Sequence, residues 1–312
     1  MPNYECVYDK DSASITIESN YREKSNFRSV CFYTANLIRS STKKNLVFLH
    51  SGGADSTAFS YVFRNQNIDI KRVHIRYFFK GKLINSYESN NIYEDDVTVY
   101  DVDVEEFERS DQHRSINEKV PFHVFLTLQT YYPDLDPEND LLIRGASTLP
   151  IRKQDGEALF VLPVGSTLLP LLYPCECIDF IQHNPVMLCS AFTDPFIERQ
   201  VNSMGVGEVY SKHHKEELYK HYFPEIPKEH LLQKTRIAFW EGFNHLHINT
   251  DKGIYYNYDG TIVDSYPQRT YWKYNYKELI GYMKKNKSVT LRVRWNYDGD
   301  YHTIPQQEVF IK

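Results

Sequence analysis

A glycine turn between two apolar segments constrains the fold of this chain more than any other feature. Residues 46 to 63 read LVFLHSGGADSTAFSYVF, so a short apolar run ends at His50 and an apolar-patterned segment resumes after Thr57. The first segment is typical of a buried strand and the second of a helix packed on a sheet. The Ser-Gly-Gly sequence between them indicates a tight strand-to-helix turn.

Segments of the same two kinds recur along the chain. Helical spacing of apolar residues predicts helices at 25–41 and 115–132. Ser25 or Asn26 is the expected N-cap of the first helix, and Pro121 suits the first turn of the second or a kink in it. Four apolar or alternating runs predict strands, at 45–50, 71–79, 95–104 and 139–147. Strands that alternate with helices in this way predict an α/β fold, with a parallel twisted sheet and helices on both faces.

The predicted topology also places a binding site. Right-handed crossovers bring the carboxyl ends of the parallel strands to one edge of the sheet, and ligands of such sheets bind at that edge. The residues expected there are 50–57, 76–79, 101–103 and 144–147.

Changes in pattern divide the chain into four parts. Residues 1–24 predict a β-hairpin, because two short alternating runs flank a DKDS turn. Residues 25–150 contain the α/β core. Residues 151–245 are interpreted as a mostly helical extension, and residues 246–312 as a small β-rich appendage with several glycine turns.

Composition restricts the class of protein. Hydrophobic residues make up 41% of the chain and charged residues 25%, as in folded globular domains. The formal net charge of −5 provides no general attraction to nucleic acids or anionic membranes. Five scattered cysteines fit a reducing compartment rather than a disulfide framework. With no signal-peptide pattern and no apolar run that could span a bilayer, the sequence predicts a cytoplasmic protein without membrane attachment.

The glycine turn has the chemistry of an anion site. A turn of this kind at the start of a helix presents free backbone N–H groups and the positive end of the helix dipole. The two glycines allow phosphate oxygens to approach the backbone, and Ser51, Ser56 and Thr57 add hydroxyl groups. Asp55 would repel a phosphate, so it indicates either a bridging Mg²⁺ ion or a helix N-cap.

The heptapeptide SGGADST resembles the signature of the PP-loop ATP pyrophosphatases, a family that includes the asparagine, GMP and NAD synthetases and 7-cyano-7-deazaguanine synthase. The family pattern is S-G-G-x-D-[ST]-[ST], between a strand and a helix. Every fixed position matches, at Ser51, Gly52, Gly53, Asp55, Ser56 and Thr57. The Walker A loop does not fit, because no lysine follows the glycines. The resemblance implies the adenine nucleotide alpha-hydrolase-like fold.

The same resemblance implies an activity. Residues 51–57, Ala54 included, would hold the pyrophosphate of ATP, and Asp55 would help to bind Mg²⁺. A carboxylate or carbonyl oxygen of a small-molecule substrate would attack the α-phosphorus and release pyrophosphate. Ammonia or an amine would then displace AMP, which makes the chain an AMP-forming ligase or synthetase. Catalysis in such a site consists of positioning and charge neutralisation.

Further contacts follow from the family pattern. Family members often carry an acidic residue in the glycine turn after the fourth strand, whereas RGAST supplies only Gly145. A second metal ligand would then come from elsewhere, with Asp101, Asp103 or Asp155 as candidates. Arg144 would contact phosphate or substrate, or form a surface ion pair.

Four other side chains belong to the predicted site. Lys234 and Arg236 would reach back to the phosphates, or lie on a solvated helix face. Arg76 and Tyr77, at the end of the second strand, would contact adenine, or pack as ordinary strand residues.

The basic, aromatic-rich residues 246–312 leave alternative functions open. Residues 246–312 contain ten Lys or Arg and seven Asp or Glu, a net charge of +3, interleaved with aromatics. This mixture suits single-stranded nucleic acid, but also a β-rich appendage or an oligomer contact. One alternative function is therefore ATP-dependent modification of a nucleic-acid base, or sulfur transfer. The other is nucleotide binding without catalysis, which the missing second carboxylate suggests. His213, His214 and His221 are interpreted as structural or surface residues, because no third metal ligand lies near them in sequence.

Overall fold

The computed structural model describes only part of the chain. The described residues are 4–9, 12–18, 26–109, 131–145, 151–154, 157–163, 176–180, 194–206, 208, 210, 212–231, 254–256, 262–265, 271–275, 281, 285, 288–294 and 306–311. The predicted helix at 115–132 lies almost entirely outside them.

Strands and helices alternate through the first half of the described chain. In order, the elements are β1 (Tyr4–Asp9), β2 (Ser12–Glu18), α1 (Phe27–Ser41), β3 (Asn45–Leu49), α2 (Ala54–Asn65), β4 (Lys71–Phe79), β5 (Lys82–Leu83), α3 (Ser86–Ser89), β6 (Val97–Asp103), α4 (Val104–Arg109) and β7 (Asp140–Arg144). The second half contains β8 (Ile151–Gln154), β9 (Glu157–Pro163), β10 (Cys177–Asp179), α5 (Pro195–Ser203), α6 (Lys212–Tyr222), a 3₁₀ turn (Lys228–Leu231), β11 (Ile254–Tyr256), β12 (Ile262–Ser265), β13 (Tyr271–Asn275), β14 (Ser288–Arg294) and β15 (Gln306–Ile311).

A six-stranded, mostly parallel sheet forms the centre of the fold. Strands β6, β4, β3, β7 and β10 lie side by side in that order and pair in parallel, while the short β5 pairs antiparallel with the end of β4. Numbered along the chain, the five parallel strands have the order 3-2-1-4-5 of a doubly wound sheet. The predicted α/β class is confirmed.

The central strand shows why the sequence folds in this way. In β3, Leu46 and Phe48 point to one face of the sheet and pack with α1 and α2. Val47 and Leu49 point to the other face, where they join Val104 of α4 in a second core. Because β3 is buried on both faces, its sequence is continuously apolar rather than alternating.

Helix α1 starts where its sequence predicts. The side chain of Asn26 accepts a hydrogen bond from the backbone N–H of Ser29 at 2.8 Å, so Asn26, and not Ser25, is the N-cap. Val30, Cys31 and Ile38 are buried on the face that packs against the sheet.

The prediction of a mostly helical segment from residue 151 is wrong in its first part. Strands β8 and β9 pair antiparallel around residues 155–156, and β10 extends the central sheet beside β7. An Asp-Gly pair between two alternating runs is a hairpin signal that the helical interpretation overlooked. Strand β10 has only three residues, too few for a periodic pattern. Within the described part of this segment, the first helix is α5, and its N-cap Asp194 accepts hydrogen bonds from the N–H groups of Phe196 and Ile197.

Smaller sheets complete the described structure. The predicted N-terminal hairpin is present as β1 and β2, and β2 pairs with β14 in a sheet of order β1-β2-β14-β15. Residues from 1–24 and 246–312 therefore share a sheet. Strand β13 pairs with β9. Among the residues placed by the structure, no helix has the length and apolar character needed to cross a bilayer.

Candidate functional site

The Ser-Gly-Gly turn lies at the point where the strand order reverses. It follows β3, between the neighbours β4 and β7, at the carboxyl edge where doubly wound sheets bind ligands. Gly52 has a φ of +79°, and a Cβ atom there would lie 2.1 Å from the carbonyl oxygen of Glu88. The turn thus requires glycine at this position for both backbone conformation and the close approach of α3.

Side chains around the turn hold it in place. The N–H of Gly52 donates to Nδ1 of His50 at 3.1 Å, and Nδ2 of Asn91 donates to the Gly52 carbonyl at 2.5 Å. The hydroxyl groups of Ser51 and Ser56 lie 3.0 Å apart. The protein itself therefore fixes both peptide groups that flank the Gly52 Cα atom, which is the preorganisation that a binding loop needs.

His50 connects the turn to a buried acid. Because its Nδ1 accepts from Gly52, its proton lies on Nε2, which is 2.9 Å from a carboxylate oxygen of Glu94. Glu94 also lies 3.0 Å from Arg64 and accepts from Ser60. Burial acts to raise the pKa of Glu94, but His50 and Arg64 outweigh it and leave that pKa below its usual value. Sequence reasoning placed His50 at this edge of the sheet but missed Glu94, because Glu94 is far from His50 along the chain.

The first turn of α2 is open to an anion. Gly53 is the N-cap and supplies no side-chain hydrogen bond, so among the described residues no side chain caps the N–H groups of Ala54, Asp55 and Ser56. Among the described residues, a Cβ atom at Gly53 would meet nothing closer than the Ser51 hydroxyl, at 3.6 Å, so these residues leave space in front of the helix. Within the described structure, the buried hydroxyl of Thr57 has no hydrogen-bond partner.

Asp55 points toward α6. Its carboxylate accepts a hydrogen bond of 2.5 Å from the hydroxyl of Tyr219 and lies 3.1 Å from Nζ of Lys215. Burial and the neighbouring Asp55 charge raise the pKa of Tyr219 well above its usual value. The interpretation of Asp55 as an N-cap is wrong, because Gly53 occupies that position and Asp55 lies inside the helix.

The other side of the strand-order reversal contains a buried ion pair. Nε of Arg144, at the end of β7, lies 3.4 Å from a carboxylate oxygen of Asp179, at the end of β10. The side chain of Asp179 is 1% exposed, so Arg144 does not form a surface pair. Burial raises the pKa of Asp179 to about 6, although Arg144 acts in the opposite direction. Among the described residues, neither oxygen of Asp179 accepts a hydrogen bond.

Gly145 joins the two sides of the site. A Cβ atom on Gly145 would lie 2.7 Å from Cα of Ser56, so the turn after β7 packs directly on the first turn of α2. The structure thus brings the loop at 51–57, Arg144 and Gly145 together at one edge, as the topology predicts.

Asp179 places a carboxylate beside the end of β7, and sequence reasoning missed it. The register pairs Asp179 with Arg144, so both side chains lie on the same face of the sheet. Of the predicted substitutes, Asp101 pairs with Arg76, and Asp103 accepts from the N–H of Glu106 at the start of α4. Asp155 lies outside the described residues.

The predicted adenine contacts have different surroundings. Arg76 is exposed and forms a two-pronged ion pair with Asp101, at 2.6 and 2.7 Å. Tyr77 is buried in the core that contains Leu49, and burial raises its pKa. Lys234 and Arg236 lie beyond the described part of the chain.

Two comparisons with known proteins found no match. No protein-family model matches this sequence, and no curated protein matches it either. The support for a function therefore comes from the loop at 51–57 and its position in the sheet.

Proposed function

We propose that this chain is an ATP pyrophosphatase with a PP-loop and the adenine nucleotide alpha-hydrolase-like fold. One observation carries the proposal: SGGADST lies at the reversal of strand order in a parallel sheet and begins a helix with no side-chain cap. A loop sequence alone could form any tight turn. At this position its open N–H groups and helix dipole face the edge where ligands of such sheets bind.

The residues around the loop suit the phosphates of ATP. The first-turn N–H groups of α2 would bind the pyrophosphate portion, while His50 and Asn91 keep the Gly52 peptide in place. Arg144 would bring positive charge to the opposite side of the same edge, with its orientation set by Asp179. Lys215, whose side chain is 13% exposed, would add a second positive charge near the start of α2.

The proposed reaction has two steps. A carboxylate or carbonyl oxygen of the substrate forms a bond to the α-phosphorus, and the bond between the α-phosphorus and its bridging oxygen breaks, so pyrophosphate leaves with the electron pair. A nitrogen nucleophile then attacks the activated carbon, the carbon–oxygen bond breaks and AMP leaves. The proton of the nucleophile goes to solvent or to a nearby base. The protein orients the groups and stabilises the charge on the phosphates.

Mg²⁺ would reduce the charge of the phosphates when bound with ATP. Asp55 is the carboxylate of the loop that could hold it, and each carboxylate oxygen can accept more than one contact. Because an ammonium group and a divalent cation repel each other, Mg²⁺ at Asp55 requires Lys215 to move from its position at 3.1 Å.

A second candidate is nucleotide binding without catalysis. The observation in its favour is that both oxygens of Asp55 already have donors, Lys215 and Tyr219. In that case Asp55 would only attach α6 to the loop, and ATP would bind without turnover.

The experiment that separates the two candidates follows the α-phosphate. The protein is incubated with Mg²⁺, ATP labelled at the α-phosphorus and a protein-free metabolite extract, and the products are identified by mass spectrometry. The proposal expects AMP, pyrophosphate and an extract-dependent product, all lost in Gly53→Val. Formation of ADP and phosphate would contradict it. ATP binding without turnover in any extract fraction would favour the second candidate.

A further inference from the structure

A cluster of three potential metal ligands lies at the start of α6, away from the glycine turn in sequence. His213 and His214 are in the first turn of the helix, and Glu208 is in the segment that precedes it. The backbone of that segment is held by β8, since Lys153 N–H donates to the Glu208 carbonyl and Tyr210 N–H donates to the Ile151 carbonyl, both at 2.8 Å. Strand β8 and helix α6 thus hold the residues of the cluster in place.

The distances within the cluster suit a small divalent ion. Oε1 of Glu208 lies 3.4 Å from Nε2 of His213 and 3.6 Å from Nε2 of His214, and all three ligand atoms lie within 4.8 Å of one another. Bonds of about 2.0–2.1 Å to Zn²⁺ in tetrahedral geometry separate neighbouring ligand atoms by roughly 3.3 Å. An ion between the three atoms therefore needs only small movements of the side chains.

Two of the three ligands, Glu208 and His214, are oriented by a second contact. Oε2 of Glu208 accepts from the backbone N–H of Gly205 at 2.8 Å, which directs Oε1 toward the two rings. The ring of His214 stacks on Tyr210, with centroids 5.0 Å apart, and its side chain is only 6% exposed. Contacts of this kind fix ligand orientation in known metal sites. The side chain of His213 is 62% exposed, so the site is open to solvent on that side.

The ligand set indicates the class of metal. Two imidazoles and one carboxylate favour a borderline ion such as Zn²⁺ over Mg²⁺ or Ca²⁺, which prefer all-oxygen sites.

We propose that Glu208, His213 and His214 bind a transition-metal ion of the Zn²⁺ class, with water as the fourth ligand. The ion would join the segment at 205–210 to the start of α6. That helix also carries Lys215 and Tyr219, which hold Asp55. The bound ion would stabilise the position of α6 next to the glycine turn, and the water position would leave the ion accessible to solvent. This inference does not depend on ATP binding or turnover.

The test measures metal binding in the absence of nucleotide. Tag-free protein is dialysed against a chelator, and Zn²⁺ binding is then measured by calorimetry together with the Zn²⁺-dependent change in Tm. His213→Ala removes an exposed ligand and is expected to weaken binding at least tenfold and to abolish the rise in Tm. His221→Ala, which removes an exposed histidine of the same helix, is the matched control and is expected to behave as wild type.

Spectroscopy and a second variant make the test sharper. Replacement of Zn²⁺ by Co²⁺ should give the visible absorption of a four-coordinate site in wild type and in His221→Ala, and none in Glu208→Gln. If wild type binds no stoichiometric Zn²⁺, or if His213→Ala binds as tightly as His221→Ala, the proposal is wrong and the cluster is a histidine–carboxylate contact only.

Discussion

The two sides of the candidate site are built in opposite ways. On the β3 side, consecutive residues at 51–57 form the turn, and the groups offered to a ligand are backbone N–H groups. On the β7 side, Arg144 and Asp179 come from different strands, and the groups offered are charged side chains. Gly145 connects the two sides, because it packs on the first turn of α2.

The two sides also differ in the free-energy cost that each imposes on the folded protein. The turn concentrates backbone constraint at Gly52, whose φ of +79° other residues rarely adopt. The β7 side buries a carboxylate with one arginine as its charged partner, so its cost is electrostatic. Substitutions on the first side should therefore act on conformation, and substitutions on the second should act on pH dependence.

The largest effect is expected for Gly52→Ala. The alanine Cβ would lie 2.1 Å from the Glu88 carbonyl oxygen, at a φ of +79°. Together the clash and the backbone conformation should lower the free energy of unfolding by about 3 kcal/mol. Urea unfolding at neutral pH measures this loss. Gly53→Ala is the control, since its Cβ has space, and it should cost less than about 1 kcal/mol. Equal losses in the two variants would contradict the constraint at Gly52.

The next effect concerns Asp179 and pH. Because its pKa is raised from 3.8 to about 6 in the folded protein, Asp179 stabilises the fold most below pH 3.8, and this contribution is lost as pH rises through 6. Burial lowers the pKa of His74 to about 4, although the hydrogen bond to the His50 carbonyl acts in the opposite direction. The contribution of His74 is therefore complete above pH 6.5 and is lost as pH falls through 4. The two contributions offset each other between about pH 4 and 6.

Asp179→Asn removes the pH-dependent contribution of Asp179 and leaves that of His74. The variant should lose about 2 kcal/mol more stability than wild type when the pH falls from 6 to 4, because only the His74 contribution remains. His74→Gln should show the opposite change of slope. Urea unfolding at several pH values measures both slopes. Parallel pH profiles for wild type and Asp179→Asn would mean that Asp179 is not held in its neutral form by burial.

An effect of similar size is expected for Asp55→Ala, and a smaller one for Asp55→Asn. Asp55→Ala leaves the buried Tyr219 hydroxyl without its acceptor and should cost about 2 kcal/mol, whereas Asp55→Asn keeps an acceptor and should cost about 1 kcal/mol. Chemical unfolding gives both values. The same two variants test the metal role, since neither should show Mg²⁺-dependent ATP binding. If ATP binding by Asp55→Asn still depends fully on Mg²⁺, Asp55 is not a metal ligand and only attaches α6 to the loop.

The sequence was a better guide to the first side of the site than to the second. The fold class, helix α1 and strand β4 follow from apolar spacing, and the turn follows from its glycines, because these signals are local. Asp179 could not be assigned in this way. Strand β10 is too short to show a period, and its place beside β7 is a property of the folded sheet.

The partners of Asp55 were missed for a related reason. Lys215 and Tyr219 lie one turn apart on α6, a spacing that any amphipathic helix has. Only the packing of α6 against α2 shows that the two side chains meet one carboxylate. The Glu208–His213–His214 cluster was also invisible, because Glu208 precedes the helix and offers no regular spacing to the two histidines.

The central claim, that the turn binds the phosphates of ATP, is tested most directly by ATP affinity in Gly53→Val. Calorimetry with ATP and Mg²⁺ compares the variant with wild type, and urea unfolding shows that the variant remains folded, with an expected loss of about 1 kcal/mol. The valine side chain would fill the space in front of α2, which a Cβ at Gly53 enters without a close contact. We predict that wild type binds ATP and that the folded variant binds it at least tenfold more weakly. Equal affinities, or no ATP binding by wild type, would contradict the claim.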